Sequence, residues 1–151
     1  MITISTGGDV QGLLARVRQA PEAFSALIVC TPFIGAAEGR DLASLMMHAD
    51  RVGCGVHLIT TVTGAKVLKA ALSRSMVMAN KRVKVLRNLH AKFYIAISRR
   101  ARSSEVIVTS ANLTRGGLRC NRELGIRAKN NSDEGAQLIH KVMQFAQQLA
   151  A

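Results

Sequence analysis

Two stretches decide how this chain reads: NLHAKFYIAI at 88–97 and VIVTSANLTRGGLRCNRELGI at 106–126. Each joins an apolar run of strand character to polar residues spaced two apart. Side chains at i and i+2 of a strand share a face, about 7 Å apart. On that spacing His90 and Lys92 take one face, and Ala91 and Phe93 the other. Ser110 and Asn112 follow a buried run, and Asn121 and Glu123 precede the apolar Leu124 and Ile126. Strands or strand ends lying side by side would gather an imidazole, an ammonium, a hydroxyl, an amide and a carboxylate into one pocket.

The flanking sequence alternates strand and helix. ALIVCT at 26–31 suits a buried strand ended by Pro32. Leu42, Leu45, Met46 and Ala49 fall at helical spacing before Gly53 and Gly55. VHLITTV at 56–62 is β-branched and strand-like. Gly64 opens a helix with Val67, Leu68, Leu72 and Met76 as its buried stripe. Strands are expected over 83–89, 92–97, 106–110 and 124–128, with a polar basic loop at 98–104. Asn131 and Glu134 have capping-box spacing for a last helix that buries Leu138, Val142, Phe145 and Leu149. This is an α/β pattern with helices packed on a largely β core.

At 151 residues, 48% hydrophobic, the chain fits one domain that can bury its own core. Cys30, Cys54 and Cys120 are scattered and odd in number, which argues against a disulfide framework or a structural zinc site. No basic-then-apolar leader opens the sequence, and 26–37 is too short and interrupted to span a bilayer. These features predict a soluble, cytoplasmic protein without stable membrane association.

Charge is uneven. Residues 81–129 hold 13 Lys/Arg against Glu105 and Glu123, a local +11 out of a total of +12. Such a segment reads as a footprint for a polyanion, nucleic acid or an anionic lipid surface. Lys81, Arg82, Lys84, Arg87, Arg99, Arg100, Arg102, Arg115 and Arg119 are the candidate phosphate contacts. With 3% aromatic residues there is little capacity for base stacking, so backbone contacts and weak sequence preference are expected.

Each side chain of the predicted pocket suits phosphodiester chemistry. A neutral imidazole such as His90 is a nucleophile toward phosphorus, and a covalent phosphohistidine splits one difficult displacement into two. Lys92, Asn112 and Ser110 are donors for the non-bridging oxygens. Glu123 can hold the far ring nitrogen of His90 and stabilise its imidazolium. The scheme requires no metal and no cofactor.

In this order, the residues resemble the signature of the phospholipase D superfamily: a His-x-Lys motif, a small residue followed by Ser-x-Asn, and a downstream Glu. Here these fall on His90, Lys92, Ser110, Asn112 and Glu123. The match is most specific over 88–126, and the preceding strand–helix–strand–helix run is also similar to that fold. The resemblance implies a phospholipase D-like αβα sandwich, a mixed central sheet with helices on both faces, in a single domain over 1–151. Thr109 stands where the family usually has Gly. Ile97 stands where the motif usually has an Asp, five residues after the Lys.

Members with two motif copies fold them into one site. A single copy is similar to the small bacterial nucleases, in which two symmetric histidines meet across a homodimer. One attacks phosphorus; the other protonates the leaving oxygen and then activates water. The resemblance thus implies a metal-independent nuclease acting on DNA or RNA. Its alternatives are a phospholipase or phosphatidyltransferase, and a non-catalytic nucleic-acid-binding member of the fold.

Overall fold

The computed structural model describes residues 1–72 and 82–151; Met76 and Lys81 of the expectations above lie outside them. Seven strands form one sheet: β1 (Ile2–Ser5), β2 (Phe24–Cys30), β3 (Gly55–Thr60), β4 (Val83–Val85), β5 (Phe93–Ser98), β6 (Glu105–Thr109) and β7 (Gly125–Lys129). Their order is β1-β7-β6-β5-β2-β3-β4. The β2–β3 and β3–β4 pairs are parallel and the rest antiparallel, so the sheet is mixed.

The helices are α1 (Gly7–Gln19), α2 (Ala36–Arg51), α3 (Val62–Ala71) and α4 (Asp133–Ala150). Leu27 and Val29 of β2, Val56 and Leu58 of β3, and Tyr94 and Ala96 of β5 meet α1, α2 and α3 on one face. Cys30, Phe93, Ile95, Val106 and Ala128 meet Ile139 and Ala146 of α4 on the other. Burial on both faces explains why β2 reads as a continuous apolar run and not as an alternation. The α2 stripe of Leu42, Leu45, Met46 and Ala49 is buried as its spacing predicts.

Several boundaries move. The last helix is capped by Ser132, whose hydroxyl accepts the Gly135 N–H, and not by Asn131. Leu138, Val142 and Leu149 pack on the core as expected but only partly buried, beside buried Ile139 and Ala146, while Phe145 is 43% exposed and meets Phe93 edge-on, with ring centroids 6.1 Å apart. The strand expected over 83–89 ends at Val85, and its pairing with β3 stops after the Leu86 N–H bonds the Thr60 carbonyl. Strand β1 and helix α1, not anticipated from the pattern, fill the β7 edge and one face. Among the described residues no helix is long and apolar enough to cross a membrane.

Candidate active site

The register puts the site at one end of the sheet. Cys30 pairs with Phe93, Phe93 with Val108, and Val108 with Ile126. The last residues of β2 and β6 therefore lie level with the first of β5 and β7. The segments attached there emerge side by side, and they carry the three polar pairs. None of the pairs lies inside a strand: His90–Lys92 precede β5, Ser110–Asn112 follow β6, and Asn121–Glu123 precede β7. Beyond the strand ends His90, Ser110 and Asn121 are exposed, and Lys92, Asn112 and Glu123 are half-buried.

His90, Lys92, Thr109 and Ser110 line a cavity of about 470 Å³ with Phe93, Val108, Lys141, Val142 and Phe145 among its walls. The His90 side chain is exposed and, among the described residues, makes no hydrogen bond. Lys92 Nζ donates to the His90 carbonyl at 3.0 Å, which folds the short segment and keeps both side chains at the opening. Behind Lys92, burial pushes the Cys30 thiol up to about 12, against the pull of the Lys92 charge.

Ser110 is fixed on both sides. Its N–H donates to the Leu124 carbonyl (3.0 Å), and its Oγ accepts the Leu124 N–H (3.2 Å). The Ser110 hydroxyl donates to Glu123, whose other oxygen accepts from Asn121 Nδ2 at 3.2 Å. Within one subunit Glu123 therefore engages Ser110 and Asn121, and not the His90 ring.

Asn112 lies behind Ser110 and does not line the cavity; its Oδ1 is 3.4 Å from Thr31 Oγ1. Buried Thr31 anchors this loop: its hydroxyl donates to the Phe33 carbonyl (3.1 Å) and accepts the Leu113 N–H (3.2 Å). Tyr94 Oη donates to the Ala111 carbonyl at 3.2 Å, and Thr109 Oγ1 accepts the Ala111 N–H at 3.1 Å. Thr109 thus supplies a bond that the Gly usual at this place could not. Burial holds the Tyr94 phenol protonated well above its ordinary range. A π-helical turn, Gly116–Cys120, closes the loop from above. A Cβ on Gly117 would fall 2.4 Å from the Asn112 carbonyl oxygen, so only glycine lets the two backbones touch.

The basic residues separate. Lys92 and Lys141 line the cavity, and Arg115 and Arg119 are exposed on and beside the π-turn. Arg87 is exposed in the turn before His90. Arg82 pairs with Asp50 at 2.7 Å, and Lys84 donates to the Ala150 carbonyl at the end of α4. Arg99, Arg100 and Arg102 follow Ser98, at the other end of β5 from Lys92. Ile97 shares the α4-facing side of β5 with Phe93 and Ile95 and packs against that core. The place of the usual motif Asp is thus filled by apolar packing, well along the strand from His90.

Thr31, Tyr94, Lys141 and Phe145 belong to the site or its support but carried no local signal as such. Lys141 and Phe145 arrive from α4, and only helix-on-sheet packing brings them there. A polar residue closing a buried strand was the one available clue to Thr31. Among the described residues no three His, Cys, Asp or Glu side chains converge in a way that would hold a metal ion.

This architecture and strand-end constellation define a phospholipase D-like domain. The family description "Cardiolipin synthase, PLD-like domain" matches residues 16–149, and the chain belongs to that family. Among solved structures it is similar to NucT from Helicobacter pylori, with a TM-score of 0.62 at 14% identity, covering 99% of this chain and 94% of that one. It is also similar to Nuc from Salmonella typhimurium, a phospholipase D family member, with a TM-score of 0.55 at 15% identity over 95% and 91% of the two chains. TrmBL2, an archaeal chromatin protein, has a TM-score of 0.56 at 16% identity over 97% of this chain and 51% of that one. No curated protein sequence matches.

Proposed function

We propose that the chain is a phosphodiesterase that cleaves nucleic acid through a covalent phosphohistidine on His90, in a site completed by a second copy of itself. The observation that carries this reading is the shared cavity. An exposed imidazole, two ammonium groups (Lys92 and Lys141) and the Ser110 hydroxyl open onto one hollow at the strand ends. An imidazole nitrogen of His90 attacks phosphorus, and the bond to the leaving oxygen breaks. That oxygen takes a proton from His90 of the partner subunit. Water then attacks the phosphohistidine, gives its proton back to the partner's His90, and releases the phosphate and the His90 ring. Lys92 and Lys141 hold the non-bridging oxygens through both displacements, and Ser110, whose single proton is given to Glu123, keeps that carboxylate in place. Asn112 adds its amide once substrate draws it from Thr31. Glu123 acts in this scheme through Ser110 and Asn121.

Support for the second copy comes from a row of paired apolar residues. Phe93, Val108, Ile126 and Ile4 are directly opposite one another across β5, β6, β7 and β1, on the α4 side. Phe93 is buried, but Ile126 is 38% exposed and Ile4 70% exposed, with Leu124 beside them at 66%. The row starts in the wall of the cavity, so a copy docked on it in two-fold fashion brings its own His90 toward the same hollow.

Nucleic acid is the favoured substrate because the basic excess spans the site segments, and because TrmBL2, of similar fold, is described as binding DNA. The deciding experiment incubates the protein in EDTA with duplex DNA, RNA and anionic phospholipid vesicles, beside His90→Ala. Nucleic-acid cleavage lost in the variant supports the reading. Lipid turnover alone assigns the site to phospholipid, and salt-sensitive binding without turnover makes it a binding module.

A further inference from the structure

We propose a second binding surface, at the end of the sheet opposite His90, for the phosphodiester backbone of a nucleic-acid segment other than the one in the cleavage site. The loop between β5 and β6 forms, with α1, a cavity of about 550 Å³ lined by the cations Arg16, Arg100, Arg102 and Lys129. The carboxylate that reaches it, Glu105, is already taken by Arg16 at 2.9 Å and Arg127 at 2.6 Å. Among the described residues, Arg100, Arg102 and Lys129 have no acidic partner within ion-pair distance. Clustered like charges that lack internal neutralisation create a local field that favours a multivalent anion.

The loop is also built in advance. The Ser98 N–H donates to Ser104 Oγ (3.1 Å) and the Arg100 N–H to Ser98 Oγ (3.1 Å). The Ser104 N–H donates to Asn130 Oδ1 (2.9 Å), while the Asn130 N–H returns to the Ser104 carbonyl (3.1 Å). Arg102 holds φ at 59°, in the left-handed region that favours glycine, so an arginine sits at the very turn position where a β-carbon is least welcome. A loop pinned at both ends gives up little freedom on meeting a rigid polyanion.

Position makes this surface separate from the site. Five residue steps of β5, about 17 Å, divide Phe93 from Ser98. The far cavity also opens beside Leu13 and Ala96, on the α1 side, whereas the site opens beside Val142 and Phe145, on the α4 side. Duplex DNA is stiff over about 150 base pairs, so one straight duplex does not lie on both from the same subunit. The surface holds a second segment, and the protein joins two.

The test does not depend on cleavage. His90→Ala protein is mixed in EDTA with two short duplexes carrying different fluorophores, and complexes containing both colours are counted across a salt series. Neutralising Arg100, Arg102 and Lys129 together to Gln is expected to lower two-colour complexes at least tenfold. The slope of log affinity against log salt should shrink by about two to three, roughly one per lost phosphate contact. Melting curves establish that the variant is folded, and Arg102→Gly with Lys129→Gln offers a less strained second variant. Two-colour complexes and a slope equal to the parent's overturn the proposal. Tight binding of tripolyphosphate by a parent that forms no two-colour complexes overturns it too, by assigning the cavity to a compact anion.

Discussion

The Ser110 hydroxyl donates to the Glu123 carboxylate and so ties the residue leaving β6 to the residue entering β7. Both line up with Leu124, whose backbone bonds Ser110 twice, so the hydroxyl direction is set before substrate arrives. Glu123→Gln keeps the shape but removes the charge. Steady-state kinetics on an activated phosphodiester should show turnover down on the order of 100-fold. Melting should cost no more than about 1 kcal/mol, because the pair is partly solvated. A rate within twofold of the parent would remove Glu123 from the machinery.

Gly117 carries the position of Asn112. Gly117→Ala drives a methyl into the Asn112 carbonyl and amide, 2.4 and 2.8 Å from the new carbon. The backbone must shift, at about 1–3 kcal/mol, and activity should fall at least tenfold. In Gly116→Ala the new carbon meets only the Asn121 side chain, at 3.4 Å, and should behave close to the parent. Equal behaviour of the two variants in melting and turnover would contradict this account.

At the other end of the sheet, Glu105→Ala removes the carboxylate that Arg16 and Arg127 share. The carboxylate is 6% exposed, but Arg16 is solvated and Arg127 keeps Asp9, so the loss should be about 1–2 kcal/mol. The same Arg127 reaches Asp9 at 3.4 Å. The Asp9 carboxyl is held below its ordinary value, first by the Thr6 backbone N–H and further by the Arg127 charge. A depressed folded value means that this stability is present above the unfolded value of 3.8 and is lost as pH falls through the lower one. Asp9→Asn should therefore flatten the acid limb of a melting-temperature profile below about pH 4. An unchanged limb would exclude Asp9 from acid unfolding.

All three cysteines are free, but only Cys120 is exposed. Burial raises both the Cys30 and the Cys54 thiols, Cys30 to about 12, so neither presents thiolate near pH 8. A disulfide reagent should titrate one thiol in the native protein and all three in denaturant. Rapid native reaction of Cys30 would show that the core beside Lys92 opens, and of Cys54 that the opposite core does.

The exposed end of the apolar row predicts the assembly. Ile4→Lys places a charge beside Ile126 at a position 70% exposed, so the subunit itself should melt within about 0.5 kcal/mol of the parent. Light scattering should nevertheless find it monomeric where the parent is dimeric, with nucleic-acid cleavage lost. An active monomer would refute the shared site.

Much of this was legible in residue order alone. The apolar cores of β2, β5 and β6 were visible because burial on both faces leaves no polar alternation to confuse them, as in 26–31. The convergence of the polar pairs at one end of the sheet was legible because each flanks an apolar run and is otherwise unexplained, although Asn112 turns to Thr31 and Glu123 to Ser110. What stayed hidden depends on partners distant in sequence. Strand β1 is four residues, Ile2 and Ile4 alternating with Thr3 and Ser5, too short to stand out. Helix α1 buries only one stripe of Val10, Leu13 and Val17 amid Arg and Gln. The far placement of Arg99, Arg100 and Arg102 follows from the direction of β5, which no local pattern reports, and Lys141 needed α4 to be docked.

Strand β1 also bears on the order of folding. Ile2 to Ser5 pair with Ala128 back to Gly125, so 120 to 126 residues separate the partners. Contacts of such long separation form slowly. That late pairing closes the sheet onto β7, the strand that Glu123 leads into, so the strand next to the Ser110–Glu123 tie gains its second neighbour last.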